Sequence, residues 1–204
     1  MVTKKPRIER NRQAILDAAR EIISERGIEG LSMRRLAERA DYSPSTLYRY
    51  FEDKEAILDA LAKDAARAAQ SMPSERAGYS DQPLDILLQS GLRLYDFARA
   101  QPVEYQLMTS ATRSSPKSLE AFLKDQNFEG LIDLIEQGIA AGSIRLPDGF
   151  DAELMALLLW FSIHGASMLR TGLMKDFGEE CDALVERLAA GFKTMMKTNT
   201  TGES

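Results

Sequence analysis

The chain has 204 residues, of which 44% are hydrophobic, and a net charge of −5. This hydrophobic fraction is enough to form a buried core and argues against a disordered chain. The single cysteine, Cys181, excludes an internal disulfide and a thiolate zinc cluster, and a lone cysteine agrees with a reducing cytoplasm.

The charges are unevenly distributed along the chain. Residues 1–54 carry twelve Lys/Arg and nine Asp/Glu, a net charge of +3, whereas residues 55–204 carry a net charge of −8. A basic N-terminal end on an acidic body indicates that this end of the chain contacts a polyanion. The alternative is that the basic tail only keeps the terminus in solvent, as such tails often do.

No segment has the features of a signal peptide or a membrane anchor. The basic start MVTKKPRIERNRQ has no apolar stretch after it of the kind a secretory signal needs. The longest uncharged run, 154–169, has 16 residues, whereas a bilayer span needs roughly 20. The sequence therefore predicts a soluble, cytoplasmic protein with no membrane partner.

The first 70 residues follow the helical period. Apolar residues from Ile15 to Ile23 recur at helical spacing, and Gly27 provides a C-terminal stop. Ser32 is placed to cap a short second helix, and Ser43-Pro44 to open a third. A fourth helix is predicted to start near Asp53.

The stretch MPSERAGYSDQP, 72–83, is the clearest break in the chain. Beyond it, the pattern predicts helices at 84–100, 102–111, 117–141, 151–171 and 179–197, followed by a polar tail from Thr198. No strand pattern is present. The predicted fold class is all-α, with a three-helix N-terminal head, residues 1–54, on a larger helical body, residues 55–204.

Residues 32–51, SMRRLAERADYSPSTLYRYF, match the needs of a helix-turn-helix. Ala37 and Ala40 allow a close helix crossing, and Asp41 stands where the turn requires a left-handed residue. Leu47 and Phe51 would anchor the second helix. Four residues would then face outward at the leading end of this helix: Pro44, Ser45, Thr46 and Arg49.

The head resembles the TetR family of bacterial regulators over about residues 8–61. The most specific part is TLYRYFEDKEAIL, 46–58. Two later segments, AQPVEYQLM at 100–108 and WFSIHG at 160–165, are similar to a branch with a Trp-His-Gly segment in its regulatory domain. The sequence departs from the family's pattern at Asp41 and Tyr42, where glycine and a smaller apolar residue are common.

The resemblance implies a DNA-binding head and a regulatory body that binds a ligand and dimerises. It also implies that two sets of residues contact DNA. Pro44, Ser45, Thr46 and Arg49 would lie near bases, and a second set would lie against phosphates: Ser32, Arg34, Tyr48, Tyr50 and Lys54.

In the body, Trp160 and the only histidine, His164, are i, i+4 neighbours and share a helix face. Together with Tyr95, Tyr105, Met108 and Phe122 they could line a ligand cavity, and plain core packing is an equal alternative for each. One histidine without nearby carboxylates does not make a metal site, and no nucleophile–base pair is evident. The sequence predicts no catalytic residue, no metal and no cofactor.

Three functions remain open from the residues themselves. The favoured one is a repressor that binds a palindromic operator of double-stranded DNA as a homodimer and responds to a small, mostly apolar effector. The alternatives are an enzyme and a helical interaction module that keeps the head as an ordinary helical hairpin. The dimer is predicted to form through the last two long helices, since 151–171 is apolar nearly all round.

Overall fold

A computed structural model describes residues 4–72, 82–110 and 114–197, with side chains from Arg7 onward. Within these ranges the chain forms ten α-helices and no named strand. They are α1 Lys4–Arg26, α2 Met33–Arg39, α3 Pro44–Tyr48, α4 Lys54–Ser71, α5 Pro83–Ala100, α6 Pro102–Thr109, α7 Leu119–Leu123, α8 Gln126–Ala140, α9 Ala152–Thr171 and α10 Gly178–Met196; a 3-10 turn covers Ile28–Gly30.

The predicted starts and stops of the first helices are confirmed. Gly27 has φ 69° at the end of α1, a conformation that glycine adopts without strain. The hydroxyl oxygens of Ser32 and Ser43 accept backbone N–H groups at the starts of α2 and α3, and the Asp53 carboxylate does the same for Ala56 at α4. Each of these side chains satisfies a donor that the first helical turn leaves unpaired.

The chain divides into two compact units, the first comprising Met1–Ser71 and Gln101–Ser115. The four helices α1, α2, α3 and α4 form its core together with α6. The fully buried side chains include Ile15, Leu36, Leu47, Ile57 and Leu61. The predicted DNA-binding domain ended at residue 54, whereas this unit continues through α4 and also takes in α6. The reason is that the apolar stripe of α4 packs into the core of the head, and Leu107 of α6 joins the same core.

The second unit comprises Met72–Ala100 and Pro116–Ser204. In it α5 packs against α8, α9 and α10. The core includes Leu84, Phe128, Ile135, Met155 and Met196.

A polar network joins three helices of this second unit. The Tyr95 hydroxyl of α5 donates to Asp182 Oδ1 of α10 at 2.7 Å, and Arg170 Nε of α9 donates to the same oxygen at 3.3 Å. Arg99 donates to the other carboxylate oxygen at 3.2 Å. Burial by itself raises the pKa of Asp182, but the hydrogen bonds and the two arginine charges outweigh it and lower that pKa below its usual value. Asp182 is therefore the ionised partner that holds the three helices together.

The single helix predicted at 117–141 is wrong. Two helices, α7 and α8, occupy this range, with Lys124 and Asp125 between them. Asp125 lies in extended backbone and its carboxylate accepts the N–H of Asn127, which caps a new helix. The apolar period continues across the break, so it gave no sign of the interruption. Most of the predicted break at 72–83 and the tail from Thr198 lie outside the described residues.

α9 and α10 each expose an apolar stripe. On α9 it includes Leu154, Phe161 and Met168, the last two being 59% and 65% exposed. By length and composition α9 could cross a bilayer, but one such helix is weak evidence for a membrane. It also contributes Met155 and Ala156 to the core of the second unit.

Candidate nucleic-acid interface

The turn between α2 and α3 has the geometry of a helix-turn-helix. Asp41 has φ 57° and is the sole non-glycine residue with positive φ in the described part of the chain, as its place in the turn predicted. The N–H of Tyr42 then donates to the carbonyl of Ala37 at 3.0 Å. Ala37 and Leu47 are buried where the two helices pack, so small and apolar residues hold them at a fixed angle.

α3 is short and presents most of its side chains to solvent. Pro44 and Ser45 are exposed, and Thr46 is half-buried. The Ser43 hydroxyl lies 3.0 Å from the Ser45 hydroxyl and 2.8 Å from the Thr46 hydroxyl. The start of α3 is thus rigidified by its own hydroxyl groups, and Leu47 fixes the helix to the core of the head.

Arg49 does not lie at the leading end of this helix, where it was predicted. α3 ends at Tyr48, and Arg49 is its C-cap, with φ −76° and ψ −21°. Five residues complete the helix because the chain must then turn inward to bury Phe51. Arg49 is nevertheless exposed, and its side chain makes no hydrogen bond or ion pair with any described residue, although its backbone N–H donates to the carbonyl of Thr46. Its guanidinium is available to a partner.

The residues predicted against phosphates fall around this helix. Arg34 is exposed and pairs with Glu38 on the surface of α2, and Tyr48 is 54% exposed. Ser32 and Lys54 are half-buried, Ser32 as the cap of α2 and Lys54 as the first residue of α4. Tyr50 is also half-buried, and its hydroxyl oxygen accepts a hydrogen bond from Asn11 Nδ2 at 2.8 Å.

Two other arginines of α2 serve the fold of the head. Arg35 donates to the carbonyl of Gly30, and Arg39 donates to Glu21 and Glu25 of α1 at 3.1 and 2.7 Å. These hydrogen bonds raise the pKa of Arg39 and lower the pKa of Glu25. Both arginines therefore hold α2 in place, which distinguishes them from the outward Arg34 and Arg49.

Residue-by-residue reasoning from the sequence missed the contribution of α1. Asn11 positions Tyr50, and the guanidinium of Arg12 lies 4.8 Å from the centre of the Phe51 ring. Arg7 and Arg10 are exposed on the same helix. The basic N-terminal end was the available signal, since it marked this part of the chain as a polyanion contact without singling out these residues.

The second unit holds four of the six residues predicted to bind a ligand. Trp160 packs on His164 with ring centres 4.1 Å apart, and Phe122 meets Trp160 edge-on at 5.1 Å. Burial lowers the pKa of His164 to about 4, so the imidazole is neutral at physiological pH. Tyr95 is buried, and burial followed by its bond to Asp182 raises its pKa above the usual value.

The other two predicted ligand residues, Tyr105 and Met108, belong to the first unit. Tyr105 is 3% exposed, and Met108 packs against the core of the head. A cavity in the second unit is lined by other residues of α5, α9 and α10 and by none of the six. The assignment of these six residues to a ligand site stays a prediction.

No cluster of His, Cys, Asp or Glu that could hold a metal ion occurs in the parts of the chain that the structure describes. Cys181 is buried at the start of α10, in a packing position. The chemistry of the head is instead that of a polyanion-binding surface. A capped, exposed helix after a tight left-handed turn, beside basic side chains, is the arrangement of a helix-turn-helix, an element that fits the major groove of DNA.

Comparison with known proteins agrees with this class. Residues 15–61 match the model of the bacterial regulatory proteins of the tetR family. The head is similar to the tetracycline repressor protein class D of Escherichia coli, with 39% identity over 72 residues, which are 35% of this chain and 33% of that protein. It is also similar to the transcriptional repressor AcnR of Corynebacterium efficiens, with 43% identity over 63 residues, 30% of this chain and 34% of that protein. The chain thus spans about a third of the length of these relatives.

Solved structures extend the similarity of fold to almost the whole chain. A protein of unknown function from Rhodococcus sp. RHA1 superposes with a TM-score of 0.68 at 24% identity, covering 92% of this chain and 96% of that one. A TetR family transcription regulator from Marinobacter aquaeolei VT8 gives a TM-score of 0.65 at 19% identity, covering 96% of this chain and 100% of that one. The similarity to the tetR family in sequence is therefore confined to the N-terminal part of the chain, and the solved structures show that its all-helical fold is similar over almost the whole chain.

Proposed function

We propose that this protein is a cytoplasmic transcriptional repressor that binds a palindromic operator in double-stranded DNA as a homodimer. The observation that carries the proposal is the exposed α3, capped by Ser43 and flanked by the unpaired guanidinium of Arg49. An α-helix presented in this way fits the major groove, where base edges differ in their hydrogen-bonding groups.

The head divides its contacts with DNA into two kinds. Lys54 and Tyr50 flank α3 and contact phosphates, which neutralises charge and releases counterions without reading sequence. Arg49 and Thr46 contact bases: a guanidinium fork suits a guanine edge, and a threonine methyl suits a thymine methyl. The hydroxyl of Thr46 is already close to that of Ser43 at 2.8 Å, which favours the methyl as its reading group.

Dimerisation proceeds through α9 and α10. Their exposed stripes carry Phe161 and Met168 on one helix and Leu184 and Leu188 on the other. Two such helices from each chain make a four-helix interface with twofold symmetry, and the same symmetry sets two heads on two half-sites.

A small, mostly apolar effector binds in the second unit and controls the DNA affinity. It acts as an inducer if it binds the conformation that cannot hold DNA more tightly, since equal affinity for both conformations shifts nothing. The name of the class D relative, a tetracycline repressor, supports a small-molecule effector for this chain.

The proposal is tested by selection of bound DNA. Purified protein is mixed with fragments of bacterial intergenic DNA, and the bound fragments are sequenced. We expect a palindromic sequence whose half-sites are about one helical turn apart. In gel shifts at increasing salt, the protein must then still bind this site more tightly than random DNA. Binding without any preference would point instead to a helical interaction module that does not recognise DNA sequence.

A further inference from the structure

Arg12 is the one half-buried arginine of the first unit that has no acceptor among the residues that the structure describes. The half-buried arginines of that unit are Arg12, Arg20 and Arg35. Arg20 donates to Asp64 of α4 at 3.1 Å, and Arg35 donates to the carbonyl of Gly30. The guanidinium of Arg12 makes no hydrogen bond or ion pair with any described residue. All its N–H donors are therefore left for a partner outside the described chain.

An aromatic ring, and not a carboxylate, holds Arg12 in place. Its guanidinium carbon lies 4.8 Å from the centre of the Phe51 ring, and Phe51 is buried at 3% exposure. The attraction between a guanidinium and the face of an aromatic ring stabilises this position without using an N–H donor. Glu9, one helical turn before Arg12, is exposed and forms no ion pair with it. No described carboxylate therefore pairs with the charge of Arg12.

The two residues that precede Arg12 and Phe51 make a second contact between the same segments. Asn11 donates to the hydroxyl oxygen of Tyr50 at 2.8 Å, and the Tyr50 ring also lies against the Tyr42 ring, with centres 6.4 Å apart. No described residue accepts the hydroxyl hydrogen of Tyr50. Two successive residues of α1 thus fix two successive residues after α3, and each contact leaves hydrogen-bond donors unused.

We propose that Arg12 and Tyr50 bind one phosphate of the DNA backbone between them. The inference rests on the proposed function, and it adds a residue of α1 to the surface around α3. Unused donors beside an unpaired positive charge favour an anionic acceptor, and the free oxygens of a phosphate diester only accept hydrogen bonds. Because Phe51 and Asn11 already hold the two side chains, little conformational entropy is lost on binding. The contact positions the duplex against α3 without reading sequence.

The salt dependence of DNA binding measures this contact, because each phosphate that the protein neutralises contributes about one to the slope of log affinity against log salt. Arg12→Gln should lower the affinity for operator and for random DNA alike, by at least about tenfold, and reduce the slope by about one. Arg12→Lys keeps the charge and should keep the slope.

Arg26→Gln is the matched control, because it removes the same charge from the last residue of α1, about 21 Å along the helix from Arg12. Charges at that distance are screened, so its slope should equal that of the original chain. A purely structural role of Arg12 on the Phe51 ring would lower the free energy of unfolding of Arg12→Gln and leave its slope unchanged. That result would overturn the proposal, and so would an equal loss of slope in Arg12→Lys.

Operator duplexes with one uncharged methylphosphonate in each half-site locate the phosphate. At one position the substitution should weaken binding of the original chain strongly, that of Tyr50→Phe less and that of Arg12→Gln least, since these variants have already lost part of the contact. Lys54→Ala, which loses a different phosphate, should stay fully sensitive there. Full sensitivity of Tyr50→Phe would overturn the shared phosphate, and full sensitivity of Arg12→Gln at every position would overturn the site.

The inference and the proposed function fail in different ways. If the original chain prefers its operator and Arg12→Gln keeps the original slope, the inference alone is wrong. If the original chain binds all DNA equally, the proposed sequence-specific function is wrong, and the slope on random DNA still tests Arg12.

Discussion

The side-chain amide of Asn11 donates a 2.8 Å hydrogen bond to the hydroxyl oxygen of Tyr50, across 39 residues of sequence. Asn11 lies on α1, and Tyr50 follows α3 by two residues. The bond leaves the hydroxyl hydrogen of Tyr50 able to point toward a phosphate oxygen. It thereby connects the N-terminal helix to the proposed DNA-binding surface.

Loss of this bond is expected to weaken DNA binding without unfolding the head. Asn11→Ala and Tyr50→Phe should each lower operator affinity by about three- to tenfold, the size expected for one hydrogen bond of about 1 kcal/mol. The double variant should bind no more weakly than Tyr50→Phe, since both changes remove the same contact. Fluorescence anisotropy with labelled operator measures all three. Gln13→Ala, which loses only a surface bond to Asp17, is the control; additive losses in the double variant would mean that the two residues act separately.

Two substitutions at Asp41, in the turn, are expected to change the stability of the chain in opposite directions. Glycine tolerates φ 57° without a Cβ clash, so Asp41→Gly should raise the free energy of unfolding by up to about 1 kcal/mol. Asp41→Val should lower it by about 1–2 kcal/mol, because a β-branched residue is strained there. Urea unfolding followed by circular dichroism compares the pair. Equal stability of the two variants would show that the turn does not hold a left-handed residue.

The proposed dimer face is tested with charges on α9. Phe161→Glu combined with Met168→Glu places two carboxylates on the exposed stripe and should produce a folded monomer with weak operator binding. Leu119→Glu, at a 68% exposed apolar residue of α7, should leave the dimer intact. Phe192 is unsuitable for this purpose because it is half-buried and lines the cavity between α5, α9 and α10, so a charge there would disturb the second unit. Light scattering that still finds a dimer for the double variant would put the interface elsewhere.

Burial of His164 makes the second unit sensitive to acid. The folded chain holds this imidazole neutral with a pKa of about 4, whereas the unfolded chain protonates near its ordinary value of about 6.5. Between these pH values the unfolded state binds the extra proton, so the free energy of unfolding falls as the pH falls, by up to about 3 kcal/mol. His164→Gln removes this contribution. The free energy of unfolding of the original chain minus that of the variant should increase from pH 4 to pH 6.5. A difference that does not change with pH would mean that His164 is solvated in the folded chain.

Local chemistry made most of the head predictable from sequence. Gly27, Ser32 and Ser43-Pro44 mark boundaries through interactions within a few residues, and the structure has a helix end or start at each. Arg49 was assigned to the leading end of α3 because periodicity does not show where a helix stops. That end depends on the burial of Phe51, which is a tertiary effect.

The polar network and the cavity of the second unit were less predictable, because both depend on contacts between residues distant in sequence. Tyr95 is an aromatic residue by pattern, but its role as a donor to Asp182 joins positions 87 residues apart. Gly91 and Ala166 gave no signal as cavity residues, since a cavity is made by the side chains that are missing there. Asp125 as a cap inside an apolar period likewise needs the packing of α7 on α8 to be recognised.

The central claim, that the head reads DNA sequence through the end of α3, is tested most directly by the affinities of Arg49→Ala and Lys54→Ala. Each is measured on the selected operator and on random DNA over a range of salt concentrations. Arg49→Ala is predicted to cost about 1–3 kcal/mol on the operator, with a much smaller loss on random DNA, and to relax preference at one base position per half-site. Lys54→Ala is predicted to weaken both DNAs alike and to reduce the salt slope by about one. An equal loss for Arg49→Ala on operator and random DNA would contradict the claim and make Arg49 another phosphate contact.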